Sequence, residues 1–388
     1  MLSRTACHNG SRQLSVFAAS AARVRLQSAT PNYEHLQTEL PARPKVVLYD
    51  DITPLNTHRL NISLASFVPK SWVPQGIQPP EPDSSKFLPP AHHLLYFNSA
   101  YPEKQLLSDG TDPNQSPGPP FIRRMWAGGY VRWNPERAIS VDSSRYACVE
   151  GIRDVAIKGK PGEQKVFVGI ERRFGPVEKG ETEDSVRERL WEESEDDFGV
   201  SKLIERRNIA FMHERTPEEL ARVKAEGAAP SPAKLLRRKL PIPHIARCIV
   251  RRMLVLGSLT VNIAQNAPTF SHTLVPTPAL LFRYSALTFN AHAIHLDPLY
   301  CREVEGHRNL LFHGPLSFTL LVALLQNHIS KSNGASIASI EYRNLAPLYC
   351  SEPVKLCGRE ASHGKYEVWA ETPEGGIAVK GTARVVGE

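Results

Sequence analysis

Nowhere in its 388 residues does the chain carry an apolar run of the roughly 20 residues that cross a bilayer; the longest, Pro315 to Leu325, stops well short. No membrane span is expected. Cysteine is sparse and unpatterned, with no CxxC pair among Cys7, Cys148, Cys248, Cys301, Cys350 and Cys357. In a chain long enough to build its own core these read as reduced thiols. Nothing beside Cys301 would activate it as a nucleophile. Acidic residues are missing from two stretches, the one before Glu34 and the one between Glu226 and Asp297. Those two stretches together carry +12, four charges from Arg4, Arg12, Arg23 and Arg25 and eight from a Lys/Arg group from Lys234 to Arg283, against a formal net charge of +7 for the whole chain. The remainder is net negative, which argues against a basic groove for nucleic acid.

What is present is globular: 41% hydrophobic and 22% charged residues, in a length that suits two domains, with 32 prolines marking many turns. Residues 1–30 are rich in arginine and serine, free of acids, and punctuated by Leu14, Val16, Phe17, Ala21, Val24 and Leu26. That is how a mitochondrial presequence looks, with a disordered basic tail as the plainer reading. A matrix location follows from the first. Residues 40–214 form a first half: a proline-rich opening with a brief strand at His93–Phe97, then strands at Gly128–Trp133, Tyr146–Ile157, Lys165–Ile170 and Leu203–His213. Asp184 to Asp197 reads as an acidic, solvated helix anchored by Trp191. Residues 215–269 are a linker and insertion, with a short helix at Thr216–Lys224 and a basic, aperiodic stretch at 237–266 to which no function is assigned.

The second half, 270–388, has a plainer plan. A loop from Arg283 to Asp297 leads towards a helix, Leu316 to about Ile329, whose leucines occupy nearly every face and which must therefore be buried. Strands follow at Ser339–Leu345, Val354–Cys357, Lys365–Glu371 and, after Glu374-Gly375-Gly376, Ile377–Val386. A long helix wrapped by an antiparallel sheet is a hot-dog arrangement. The fold expected is α+β: a double hot-dog, two antiparallel sheets each wrapping a long helix, fused in one chain.

Three segments carry a family likeness: Phe289-Asn290-Ala291-His292-Ala293-Ile294-His295-Leu296-Asp297, then Glu305-Gly306-His307, then Leu311-Phe312-His313-Gly314-Pro315-Leu316. With Ser108-Asp109-Gly110 and Phe121 to Gly129 in the first half, the sequence resembles the MaoC-like thioester hydratases. Within them it resembles hydroxyacyl-thioester dehydratases type 2 of mitochondrial fatty-acid synthesis and hydratases of mesaconyl-type thioesters. That family usually carries Asp, then Asn two positions on, then His three further. Here those positions hold Asn290, His292 and His295. An amide at 290 can hydrogen-bond a leaving hydroxyl but cannot exchange a proton with it.

The resemblance implies reversible dehydration of (R)-3-hydroxyacyl thioesters to trans-2-enoyl thioesters on acyl carrier protein or coenzyme A. Gly314 would give its N–H, at a helix start, to the developing enolate. His295 takes the C2 proton and Asn290 orients the departing water; whether His295 also returns the proton to that water, or His292 helps, stays open. Arg123 and Arg124 beside Trp126, and Arg302 and Arg308, are candidates for the phosphate of a pantetheine carrier; an ordinary charge pair is the alternative for the first two. His292-x-x-His295-x-Asp297 has metal-ligand spacing, but the His-Gly-Pro and buried helix that follow favour a site with no metal or cofactor; Asp297 before Pro298 reads as a turn former. The first half has no such loop and would serve as a wall of the acyl tunnel. Two other functions stay open: a hydratase of mesaconyl- or itaconyl-type CoA thioesters, favoured by an arginine deep in the tunnel, and a silent acyl-binding protein. A homodimer of double hot-dogs is the assembly considered.

Overall fold

The computed structural model describes residues 32–228 and 267–387, apart from 75, 137, 332 and 333. The basic start at 1–30 and the stretch at 237–266 lie outside the described residues. The strands are β1 (Val46–Asp51), β2 (Asp83–Phe87), β3 (Arg123–Trp133), β4 (Ser140–Val141), β5 (Arg145–Lys158), β6 (Lys165–Pro176), β7 (Leu203–Met212), β8 (Phe270–Leu274), β9 (Ser336–Asn344), β10 (Val354–Ser362), β11 (Lys365–Glu371) and β12 (Ile377–Val386).

Ten of them form one sheet in the order β1-β5-β6-β7-β3-β9-β12-β11-β10-β8, every pairing antiparallel; β2 and β4 pair separately. Counting the large-sheet strands of each half in chain order, and inward from each outer edge, both halves read first-third-fourth-fifth-second. The halves meet at β3 and β9, where Gly128 to Arg132 pair with Arg343 to Ser339. At this seam β3 is flanked on both sides, and Gly128 and Gly129 lie at φ +141° and +157°. A Cβ on the first would collide with the Tyr342 carbonyl and on the second with that of Arg206. Only glycine lets three backbones come this close.

Two expectations change here. The sheet is continuous instead of being two separate sheets, because strand pairing runs across the seam. And among the described residues only the second half wraps a long helix. That helix, Gly314–Ile329, starts with Pro315 in its first turn, contains no later glycine or proline, and buries Leu316, Phe318, Leu320, Leu321, Val322, Leu324 and Leu325. Each such side chain contributes about 1.5–3 kcal/mol when fully buried. The first half has instead an 11-residue helix, Pro54–Leu64, following its first strand. Its counterpart after β8 is Pro278–Leu287. Both begin Thr-Pro, and the two pack against each other.

Smaller differences are local. His93–Phe97, read as a strand, is not one: His93 to Leu95 belong to a 3-10 turn at His92–Leu95, and Tyr96 caps it. Arg283 to Leu287, read as loop, ends the helix Pro278–Leu287. The acidic helix is Glu183–Leu190, capped by Thr182, with Trp191 just beyond it. The linker helix runs Pro217–Ala228.

Candidate active site

The loop between Pro278–Leu287 and the buried helix folds back so that three imidazoles gather at the start of that helix. His295 is 7% exposed, and its Nδ1 lies 2.8 Å from the Leu311 carbonyl oxygen. A carbonyl only accepts, so Nδ1 carries the hydrogen and Nε2 is left with its lone pair. The ring stacks on His313, centroids 3.7 Å apart and planes 20° from parallel. His313 is fully buried, and its Nε2 lies 2.8 Å from the Ser285 hydroxyl. Burial pushes the His295 imidazole down to about 4. His292 and His313 are also driven well below their ordinary value, by burial first and then by the neighbouring imidazoles, with Arg124 adding to the effect on His292. All three are neutral at pH 7.

Gly314 follows His313 directly and opens the helix, so its N–H is among those with no carbonyl partner inside the helix. A Cβ at this position would stand 3.1 Å from Asn344 Nδ2 and 3.7 Å from Trp126 Cβ. The stack on His313 puts the His295 ring one residue from this amide. Asn290 accepts the His292 backbone N–H at 3.0 Å through Oδ1, which leaves Nδ2 as its free polar edge.

The first half reaches into this loop. The Asp109 carbonyl accepts from Ala293 N at 2.8 Å, and Asp109 Oδ2 stands 3.5 Å from His292 Nε2. Asp109 is buried, its Oδ1 accepts from Thr111, and Arg124 Nε lies 3.8 Å from its Oδ2. Arg124 therefore offsets the carboxylate's charge, and His292 need not be protonated to sit beside it. Gly110, at φ +83°, presses against the Ala291 carbonyl so closely that a Cβ would collide with it.

A cavity of about 530 Å³ lies between the halves, within the size range of small-molecule sites. Its second-half wall includes Tyr284, Ser285, Asn290, Ala291 and Pro315; the first half contributes Leu94, Phe97, Trp126, Ile170 and Ile209. The first half also lines it with charged residues, among them Glu150, Arg172 and Arg207. His292, His295 and Gly314 are not themselves among the lining residues, but their chain neighbours Ala291, Leu296 and Pro315 are. Arg172 is almost wholly buried, with Nε 3.0 Å from Glu150, Nη1 3.2 Å from Glu205 and Nη2 donating to the Phe97 carbonyl at 2.7 Å. Burial alone would raise the Glu205 carboxyl; Arg207, His93 and Arg172 outweigh it and bring it down to about 2.

The arginines expected at a carrier phosphate are placed differently. Arg123 is buried against Glu305, 2.8 Å through Nε and 2.6 Å through Nη2. Arg308 is paired with Glu352 through both Nε and Nη2. Arg302 is exposed and outside the cavity wall, whereas Trp126 is part of that wall. Asp297 caps the helix Pro298–Glu303 by accepting from Leu299 and Tyr300. Cys301 is buried and its thiol raised to about 11 by that burial, which is inert chemistry. Among the described residues no group of three or more His, Cys, Asp or Glu is placed to hold a metal, and no helix is long and apolar enough to cross a membrane. Sequence reasoning missed Ser285, Asp109 and Arg207 as site residues. Ser285, five positions before Asn290, and Asp109, inside the family-like segment Ser108-Asp109-Gly110, had a local signal; Arg207 had none.

The sequence pattern of hydroxyacyl-thioester dehydratase type 2 matches residues 91–237 and 251–350. Mesaconyl-C(4)-CoA hydratase of Chloroflexus aurantiacus is 29% identical over 318 residues, 80% of this chain and 89% of that protein. The mitochondrial hydroxyacyl-thioester dehydratase type 2 of Schizosaccharomyces pombe is 24% identical over 326 residues, covering 82% and 91%. Among solved structures, a MaoC-like dehydratase from Phytophthora capsici superposes with a TM-score of 0.57 at 14% identity, over 90% of this chain and 99% of that one. That last likeness is one of fold.

Proposed function

The chain belongs to the hydroxyacyl-thioester dehydratase type 2 family and is a hydro-lyase, and from that premise we propose that it interconverts (R)-3-hydroxyacyl and trans-2-enoyl thioesters in a double hot-dog whose second half carries the chemistry. The observation that supports this most is the fixed tautomer of His295: Nδ1–H held by Leu311, Nε2 unprotonated, the ring stacked beside the Gly314 helix start.

In the dehydration direction His295 Nε2 takes the proton from C2, and the electron pair released forms an enolate that the Gly314 N–H stabilises. The enolate then collapses to the C2–C3 double bond as the C3–O bond breaks. The leaving hydroxyl receives the proton back from His295 and departs as water, restoring the neutral imidazole. A conjugate acid of pKa about 4 returns that proton readily. Asn290, on the cavity wall, holds the hydroxyl through Nδ2. Asp109 keeps His292 in place from the first half. This division leaves His295 as the one proton carrier, and Asn290 does not need to titrate.

Purified protein incubated with crotonyl-CoA should consume the enoyl absorbance. His295→Ala should lower kcat/KM about 10²–10⁴-fold; equal rates for the two proteins would overturn the assignment, and a silent wild type would favour the acyl-binding reading. The relative in Schizosaccharomyces pombe is named mitochondrial, and the arginine-rich start at 1–30 agrees with a matrix location. The carrier, acyl carrier protein or coenzyme A, is tested by offering the same acyl group on each. Sedimentation would test the homodimer.

A further inference from the structure

The charged stretch of the cavity wall is the wrong surface for an alkyl tail. We infer that Arg207 binds a carboxylate at the far end of the acyl group, so that the substrates are thioesters of short dicarboxylic acids. This deepens the hydratase reading above and rests on it for the reaction, though not for the binding.

Arg172 and Arg207 both line the cavity, yet only one has donors to spare. Arg172 is enclosed by its own partners: Nη1 and Nη2 donate to Glu205 and the Phe97 carbonyl, and Nε faces Glu150 at 3.0 Å as an ion pair without hydrogen-bond geometry. Arg207 uses Nε alone, donating to Glu205 Oε1 at 2.8 Å, and its side chain keeps 18% exposure. Its Nη1 and Nη2 meet no acceptor among the described residues. That pair is the end of the guanidinium fork that grips a carboxylate in two parallel hydrogen bonds. Glu205 holds the fork from behind, and the guanidinium carbon lies 4.9 Å from the centre of the Trp126 ring. Two contacts fix its direction, so little freedom is lost when a ligand binds.

Position sets the length of the acyl group. Trp126 touches Arg207 with its ring and approaches Gly314 with its Cβ. One indole therefore separates the fork from the amide assigned to the thioester carbonyl. A short chain bearing a terminal carboxylate spans that gap. A long alkyl chain would have to displace or desolvate the Glu150–Arg172–Glu205 network, which burial makes costly.

The test uses binding of unreactive saturated thioesters, so it does not depend on turnover. Titration calorimetry compares succinyl-CoA with butyryl-CoA, which places a methyl where the second carboxylate would be. Wild type should prefer succinyl-CoA by about tenfold or more. Arg207→Gln should bring the two dissociation constants together, while Arg207→Lys should keep part of the preference. Equal or tighter binding of butyryl-CoA by wild type overturns the inference, as does a preference that survives in Arg207→Gln. Hydration of crotonyl-CoA, measured separately, fails if the dehydratase reading fails; a succinyl preference in a protein that hydrates nothing would leave Arg207's role standing alone.

Discussion

Two halves with one strand order have been filled in opposite ways. In the second, the sheet presents Val354, Leu356, Val368, Ala370 and Val379 to a 16-residue helix that is itself apolar on nearly every side. In the first no such helix is present among the described residues, and Glu150, Arg172 and Arg207 face the cavity between the halves, with Glu205 paired to both arginines. One half is held by apolar burial and the other partly by a buried ion network. The difference shows that strand order specifies where an interior lies without specifying what occupies it.

That contrast can be broken from either side. Arg172→Met removes the shared cation of the network, taking one partner each from Glu150, Glu205 and the Phe97 carbonyl and leaving Glu205 to Arg207 and Glu150 to Gln115; urea unfolding should show a loss of about 3–5 kcal/mol. An unchanged midpoint would mean that the network is spectator charge. Leu320→Ala, inside the second half's helix, should cost about 2–5 kcal/mol through lost burial and the cavity left behind. If Leu320→Ala proved far cheaper, the helix would not be the second half's core.

A smaller effect separates the halves by pH. Burial holds His92 at about 4 and His93 at about 3 in the first half, and His295 at about 4 in the second. Below about pH 6.5 the unfolded chain binds protons that these folded imidazoles decline. Stability should therefore fall as pH drops from about 6.5 towards 4, and these groups should contribute no slope above that window. The acid limb of kcat/KM should likewise sit near 4. A limb at the ordinary imidazole value would show that His295 is solvated, or is not the base.

Legibility in the sequence followed the range of the interactions. The buried helix was readable because its leucines repeat within a few turns, and β11 and β12 because alternation and a Gly-Gly turn are local. β1 and β8 were not recognised as strands: they are short and at the two edges of the sheet, so what makes them strands is one distant partner each, β5 and β10. Asn290 and His295 stood out through their spacing and the glycine beyond. Asp109 could not be tied to His292, 183 positions away, since no pattern relates a carboxylate in one half to a loop in the other. Arg123 illustrates the converse error. Two adjacent arginines look available until Glu305, remote in sequence, is found against one and Asp109 against the other.

Separate copies meeting about a twofold axis must present the same surface twice, so any change made for one neighbour is imposed on the other. Joining β3 to β9 within one polypeptide lifts that obligation. A substitution on the left need have no echo on the right, and an asymmetric molecule with a distinct head and tail can be gripped differently at each end.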